Sequence, residues 1–136
     1  MSAGLVLITH NDIGEQLLRT ALRTIGRCAT EARVVSVTED SDPDRLLQYA
    51  RKCIREVDQG SGALILTDCF GSTPSNIASR LLDEGNVQAL SGLSLPMLIK
   101  VLNYSQLPLP ELANKAVAGG CEGIVMSTPP TDRIET

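Results

Sequence analysis

Apolar residues along this chain fall into two patterns that alternate from end to end. Short continuous apolar runs, typical of strands in parallel sheets, predict five strands, at residues 4–9, 33–38, 63–67, 87–93 and 123–126. Apolar positions three and four apart predict five helices, at residues 13–28, 43–57, 74–84, 94–104 and 110–120. This alternation predicts an α/β fold with an open, mainly parallel sheet, right-handed crossovers and helices on both faces.

Local signals mark the start of three of these helices. Asp12 and Glu15 have the spacing of a capping box at the start of the first helix. Ser41-Asp42-Pro43 places a proline at the first position of the second helix. Thr73, followed by Pro74, is the predicted N-cap of the third helix.

Composition narrows the class of protein. The chain has 136 residues, of which 43% are hydrophobic but only 2% aromatic, so we expect a core of Leu, Val, Ile and Ala. A net charge of −4 argues against broad nucleic-acid binding. The lack of a signal peptide, of a membrane-span-length apolar stretch and of a Cys-x-x-Cys pair favours a cytoplasmic protein. We expect one domain over residues 1–127 and a short, disordered tail over residues 128–136.

The chain contains a single histidine, His10, which directly follows the first apolar run. A side chain at the carboxyl end of a parallel strand points into the crevice where open α/β sheets bind ligands. Asp68 holds the same place after the third strand, so the two side chains face each other if these strands are neighbours. Asp68 would then accept a hydrogen bond from one ring nitrogen and leave the other nitrogen as a nucleophile.

The loop after the third strand supplies candidate phosphate contacts. Gly71, Ser72 and Thr73 lead into a helix start, where unpaired backbone N–H groups and the helix dipole attract anions. With Thr9 at the end of the first strand, they form the candidate phosphate-binding set beside His10.

Each of these signals also has an ordinary structural explanation. His10 can be an incidental strand-end residue, Asp68 can cap its own loop, and Thr73-Pro74 is a common helix start. Other chemistries fit less well, because the chain lacks a P-loop, a dinucleotide-binding turn and a nucleophile elbow. One histidine with one aspartate is a poor ligand set for a metal, so we expect neither a metal nor a cofactor.

Three motifs follow one another along the chain: Leu-Ile-Thr-His10, Leu-Thr-Asp68-Cys-Phe-Gly-Ser-Thr-Pro-Ser-Asn76 and Gly92-Leu-Ser-Leu-Pro-Met-Leu98. Together they resemble the mannose/fructose-family enzyme IIA domain of the bacterial phosphoenolpyruvate-dependent sugar phosphotransferase system. The resemblance covers about residues 3–126. It implies a sheet in the order 2-1-3-4 and a homodimer in which the C-terminal strand, about residues 123–127, crosses to the partner's sheet.

The same resemblance implies roles for individual residues. The histidine matching His10 takes a phosphoryl group from the phosphocarrier HPr and passes it to a IIB domain, and the aspartate matching Asp68 pairs with it. The residue matching Thr73 and nearby backbone amides hold the phosphoryl group. Family members often carry Gly-Gly-Ser-Pro where this chain has Gly71-Ser72-Thr73-Pro74, which keeps a hydroxyl group but adds a side chain at Ser72.

The expected partners are therefore HPr, a separate IIB domain or other phosphoryl acceptor, and a second copy of the chain. Nucleic acid is not expected, and a membrane only indirectly, through a transporter complex. The apolar residues 123–126 have no antiparallel partner strand within the chain, which independently favours a dimer. Two alternatives stay open: a dihydroxyacetone-kinase phosphotransfer subunit, and a phosphorylation-dependent regulator without a sugar substrate.

Overall fold

A computed structural model describes residues 2–26 and 30–130. Strands and helices alternate along most of this range, as the sequence predicts. The strands are β1 (Gly4–His10), β2 (Ala32–Val37), β3 (Ala63–Thr67) and β4 (Val87–Ser91). The helices are α1 (Ile13–Ile25), α2 (Pro43–Val57), α3 (Thr73–Ser79), α4 (Leu95–Asn103) and α5 (Leu109–Glu122).

The four strands form one parallel sheet in the order β2-β1-β3-β4, which confirms the predicted fold class and strand order. In β1 the side chains alternate between two cores. Val6 and Ile8 pack in the core that contains α2 and α3, whereas Leu5 and Leu7 pack in the core that contains α1, α4 and α5. Helices therefore cover both faces of the sheet and leave its carboxyl edge to carry chemistry.

Helix α1 begins at the predicted residue, Ile13, but ends earlier than predicted. The helix ends at Ile25, because Gly26 adopts the left-handed conformation with φ 81° and terminates it; residues 27–29 lie outside the described residues. The predicted capping box is wrong, since the Asp12 side chain makes no capping hydrogen bond. The physical reason is that Asp12 has φ −100° and ψ 13°, instead of the extended backbone that a capping side chain needs.

Helix α3 is shorter than predicted and begins one residue earlier. Its N-cap is Ser72 rather than Thr73, and Pro74 occupies the first turn. The helix ends at Ser79 because the last residues bond in tighter turns, with the Arg80 N–H donating to Ile77 and Asn76 carbonyls. Helix α2, by contrast, matches its prediction, and the Asp42 side chain accepts from the Asp44 N–H.

The fifth predicted strand is absent from the single chain. Helix α5 continues to Glu122, and residues 124–129 form no strand. The side chains of Ile124, Val125 and Met126 are 85%, 76% and 89% exposed. An apolar run becomes a strand only beside a sheet edge, and these residues pair with none within this chain. Of the predicted tail, residues 131–136 lie outside the described residues.

Over the part of the chain that the structure describes, none of the helices has the length and apolar character needed to cross a membrane.

Candidate functional site

The strand order brings the two predicted reactive residues together. From β1 the chain moves outward to β2, and it then returns to β3 on the other side of β1. This reversal is the topological switch point, where open α/β sheets bind ligands. Because Ile8 pairs with Thr67 in register, His10 and Asp68 leave the sheet at the same edge.

His10 and Asp68 share two hydrogen bonds on one carboxylate oxygen. The ring atom Nδ1 of His10 lies 2.9 Å from Oδ2 of Asp68, and the His10 backbone N–H donates to the same oxygen at 3.0 Å. The His10 side chain is 41% exposed and that of Asp68 is 12% exposed. The aspartate is thus the inner member of the pair, and the imidazole is the member that solvent or a partner reaches.

The environment of Asp68 favours its ionised form. Burial acts to raise the pKa of the Asp68 carboxyl, but hydrogen bonds from the His10 backbone and ring outweigh it, so the pKa is lowered below its ordinary value of 3.8. Its other oxygen, Oδ1, is buried without a hydrogen-bond partner among the described residues. The carboxylate therefore acts on His10 through Oδ2, the oxygen that accepts both hydrogen bonds.

The ionised carboxylate assigns the roles of the two ring nitrogens of His10. A carboxylate can only accept hydrogen bonds, so Nδ1 carries the proton that bridges the 2.9 Å gap to Asp68. In the neutral ring, Nε2 then holds the lone pair. The arrangement leaves an oriented, partly exposed nucleophilic nitrogen at the carboxyl edge of β1.

Ser75 organises the loop between Asp68 and α3 and was not among the predicted site residues. Its hydroxyl oxygen accepts from the N–H groups of Gly71 at 2.8 Å and Ser72 at 3.1 Å, and the hydroxyl donates to the Ser72 carbonyl at 3.0 Å. Ser75 is only 5% exposed. The three-residue spacing from Ser72 is the signal that could have identified it.

This hydrogen-bond network occupies several of the groups that were predicted to contact phosphate. The N–H groups of Gly71 and Ser72 are occupied by Ser75, and the Ser72 hydroxyl donates to the Cys69 carbonyl. Thr73 is exposed at the start of α3, and its hydroxyl has no hydrogen bond within residues 2–26 and 30–130. Of the three loop residues, Thr73 is thus the one whose side chain is available to an incoming anion.

The structure gives Thr9 a different place from the predicted one. Thr9 is 0% exposed, and its Oγ1 accepts from the Gly14 N–H at 2.8 Å. A hydroxyl that is buried and already bonded to the helix start does not face a ligand on the crevice side. Thr9 is therefore not retained as a phosphate contact.

Apolar side chains flank the His10–Asp68 pair in the sequence. Phe70, two residues after Asp68, is 83% exposed, and Ile13, three residues after His10, is 43% exposed. Aromatic residues are rare in this chain, so the nearly full exposure of Phe70 marks a candidate contact surface.

In the described ranges, no group of three or more His, Cys, Asp or Glu could hold a metal ion.

Comparison with known proteins places these features in a family. Residues 4–117 match the family model of the PTS system fructose IIA component, EIIA-man. The mannose-specific EIIAB component of the PTS of Escherichia coli K12 is 28% identical over 127 residues, which cover 91% of this chain but 39% of that protein. The chain thus spans well under half the length of this curated relative.

Solved structures agree on the fold. The mannose/sorbose-specific IIA subunit from Enterococcus faecalis superposes with a TM-score of 0.84 at 24% identity, over 96% of this chain and 98% of that one. The EIIA component from Streptococcus agalactiae gives 0.81 at 20% identity, over 91% and 96%. The family match over most of the chain, together with this shared fold, shows that the protein belongs to the mannose/fructose-type IIA family of the sugar phosphotransferase system.

Proposed function

We propose that this protein is a phosphohistidine relay, in which Nε2 of His10 accepts a phosphoryl group from HPr and passes it to a IIB-type acceptor in sugar uptake or its regulation. IIA components of this family belong to a phosphotransferase system, which supports the general kind of role. The observation that carries the proposal is the 2.9 Å contact between Nδ1 of His10 and Asp68, because it leaves Nε2 as the free nitrogen.

The transfer step balances without any cofactor. The Nε2 lone pair of His10 attacks the phosphorus of the donor's phosphohistidine; the new N–P bond forms as the donor N–P bond breaks, and the donor imidazole keeps that electron pair. The His10 ring still carries its proton on Nδ1 and therefore becomes positively charged. Asp68 stabilises this charge through the hydrogen bond that it already makes, and the reverse process releases the group to the acceptor.

The loop before α3 is proposed to hold the phosphoryl oxygens. The exposed Thr73 hydroxyl is the proposed direct contact. Gly71 and Ser72 are proposed to shape the loop, and their N–H groups contribute only if phosphate displaces the Ser75 hydroxyl that occupies them. Gly71 has φ 84°, a backbone conformation that suits glycine and permits such a tight turn beside the site.

A homodimer with exchanged C-terminal segments is part of the proposal. Strand β4 is an edge strand, and the exposed apolar residues Ile124, Val125 and Met126 lack a sheet partner within the chain. Next to β4 lies a cavity of about 350 Å³ lined by residues that include Leu90, Met97 and Ile124 itself. Pairing of residues 123–127 with the partner's β4 would cover both the open edge and these apolar side chains.

The remaining features of the proposal follow from composition and family. Cys53, Cys69 and Cys121 are free thiols, which suits the cytoplasm as the proposed compartment. We place the phosphotransfer domain within residues 1–127. The proposed partners are HPr and a IIB-type acceptor, with a membrane involved only through a transporter complex and no role for nucleic acid.

Reconstitution tests the proposal. The chain is incubated with labelled phosphoenolpyruvate, enzyme I and HPr, and acid-labile phosphoryl label on the chain is measured for the wild type and for His10→Ala. We expect label on the wild type alone. Absence of label from the wild type, or label that persists in His10→Ala, contradicts the proposal. Adding a IIB domain or, separately, a dihydroxyacetone-kinase subunit identifies the acceptor by which of them removes the label.

A further inference from the structure

The residue before His10 is a buried threonine in a strand whose preceding residues are apolar. Thr9 is 0% exposed and follows the aliphatic run from Leu5 to Ile8 in β1. A hydroxyl in such a place requires a hydrogen-bond partner. The partner is the backbone N–H of Gly14, which donates to Thr9 Oγ1 at 2.8 Å.

This hydrogen bond caps α1 from outside the helix. Gly14 is the second residue of α1, so its N–H has no acceptor within the helix. The N-cap residue normally supplies that acceptor, but the Asp12 side chain makes no capping hydrogen bond. Thr9 takes over this role and ties the end of β1 to the start of α1 across five residues.

The two residues are sterically matched. A Cβ atom added to Gly14 would lie 2.5 Å from Thr9 Oγ1, and 3.3 Å from Cγ1 of Val34. The first distance is too short for any side chain, so the close approach of α1 to the strand end requires glycine at position 14. Removing the Thr9 hydroxyl, or adding a side chain at Gly14, is expected to open the contact.

His10 and Asn11 lie inside the turn that this contact closes. Asn11 has φ 49° and is the single non-glycine residue with positive φ in the described part of the chain. Its N–H donates to the Val37 carbonyl at 2.8 Å, and the His10 N–H donates to Asp68 at 3.0 Å. An asparagine enters the left-handed region at small cost but leaves it as easily, so an additional constraint is needed to hold the turn.

We infer that Thr9 is a positioning residue for His10: its hydroxyl, bonded to Gly14, fixes the turn from which the imidazole reaches Asp68. The inference rests on the proposed function, because the position of the ring matters for rate only if Nε2 transfers a phosphoryl group. Thr9 does not touch the phosphoryl group in this account and acts only through His10.

The test uses variants that separate the hydroxyl from the packing of β1. Thr9→Val keeps the shape and removes the acceptor, whereas Thr9→Ser keeps the acceptor. Ile8→Val is the matched control, since Ile8 is the adjacent residue of β1, is 0% exposed and packs in the opposite core. Thermal unfolding of each variant sets a temperature at which all of them are folded.

Two readouts are measured at that temperature. The first is the ¹H–¹⁵N long-range NMR spectrum of the imidazole, which needs no assignment because His10 is the one histidine of the chain. The second is the rate of labelling by phosphorylated HPr. We expect Thr9→Val to weaken the Nδ1–H signal bonded to Asp68 and to slow labelling on the order of 10-fold, with Thr9→Ser and Ile8→Val within about twofold of the wild type.

The outcomes decide between positioning and simple stability. A wild-type ring spectrum and rate in Thr9→Val, or the same loss in Ile8→Val, overturns the inference. If Thr9→Val does not fold, Gly14→Ala replaces it, and an unchanged ring spectrum in a folded Gly14→Ala protein overturns the inference equally. The NMR readout requires no partner protein, so failure of the proposed function, seen as an unlabelled wild type, is distinguished from failure of the positioning role.

Discussion

Replacing Asp68 by asparagine tests the electrostatic part of the mechanism while preserving the shape of the side chain. In the wild type, one carboxylate oxygen of Asp68 accepts both from the His10 backbone N–H at 3.0 Å and from ring Nδ1 at 2.9 Å. An amide oxygen can still accept these bonds but carries no charge. In the proposed transfer, the variant therefore removes the ion pair that forms when the phosphorylated ring becomes positive, and it leaves the packing in place.

The expected loss of rate follows from the distance between the two charges and from the exposure of the imidazole. Unit charges about 4 Å apart attract by about 4 kcal/mol at an effective dielectric constant near 20, and solvent at the partly exposed imidazole reduces this to about 2–4 kcal/mol. The loss corresponds to a slowing of phosphoryl transfer of about 30- to 1,000-fold. The folded state loses less, about 1–2 kcal/mol, because two charge-assisted hydrogen bonds become neutral ones.

The assay is the single-turnover rate of labelling by phosphorylated HPr, measured beside urea unfolding. Asp58→Asn is a matched control, since the Asp58 side chain also accepts two backbone N–H bonds, from Gly60 at 2.9 Å and Gly62 at 3.0 Å, but near the start of β3, away from His10. We expect Asp58→Asn to keep the wild-type rate. A rate for Asp68→Asn within about threefold of the wild type, or an equal loss in Asp58→Asn, refutes the electrostatic role.

Stability against pH gives a second signature of the same carboxylate. Because the folded state lowers the pKa of Asp68, the unfolded chain binds a proton at higher pH than the folded chain does. Asp68 therefore contributes stability above its unfolded pKa, and this contribution is lost as the pH falls through the lower, folded value. The difference in unfolding free energy between wild type and Asp68→Asn is expected to shrink from about pH 5 to about pH 2. A constant difference contradicts the role of the ionised form.

Three further predictions concern the loop before α3, the exposed Phe70 as a proposed contact for HPr, and the dimer. Ser75→Ala leaves two backbone N–H groups without their acceptor, so urea unfolding should show a loss of about 1–3 kcal/mol; a loss below about 0.5 kcal/mol contradicts the loop network. Phe70→Ala should raise the HPr concentration needed for half-maximal labelling without changing labelling by a small phosphoramidate donor, while the exposed Tyr104→Ala control leaves both unchanged; an effect on the small donor argues against docking. Val125→Asp, at a side chain 76% exposed in the single chain, should convert a dimer to a folded monomer in sedimentation experiments; an unchanged dimer contradicts segment exchange.

The buried strands and the two strand-end residues could be predicted from sequence because their signals are strong and local. Continuous apolar runs become buried strands, and a parallel sheet brings strand ends to one edge. The adjacency of β1 and β3, which brings His10 to Asp68, was implied by the family resemblance and is confirmed by the structure. The helix start that Pro43 marks was also predicted correctly, whereas the start beside Pro74 was wrong by one residue. The buried strands and the start of α2 depend on backbone geometry that a short stretch of residues determines by itself.

The predictions of helix caps and phosphate contacts were wrong where several acceptors compete for the same N–H groups. Asp12 has the spacing of a capping residue, but the turn at Asn11 rotates its backbone away, and Thr9 captures the Gly14 N–H instead. In the loop before α3, the buried hydroxyl of Ser75 accepts from the N–H groups of Gly71 and Ser72, which were predicted to bind phosphate. The spacing of residues along the chain indicates which side chains could accept these hydrogen bonds, but the path of the backbone through the turn determines which of them does.

The structure of the C-terminal segment could not be predicted from the sequence, for a different reason. Residues 123–126 are apolar enough for a strand, yet a strand forms only by hydrogen bonding to a sheet edge, and these residues pair with neither edge of their own sheet. In the proposed dimer these residues pair with a second molecule, whose position the pattern of one chain does not define.

The most direct test of the account is the position of the phosphoryl group on the imidazole. The protein, labelled with ¹⁵N in its one histidine, is phosphorylated through HPr, and long-range ¹H–¹⁵N NMR then identifies the ring nitrogen bonded to phosphorus. Because Nδ1 of His10 is held by Asp68, the account predicts phosphorylation at Nε2 with a proton retained on Nδ1. Phosphorus on Nδ1, or an unmodified ring in a chain that carries the label, contradicts it.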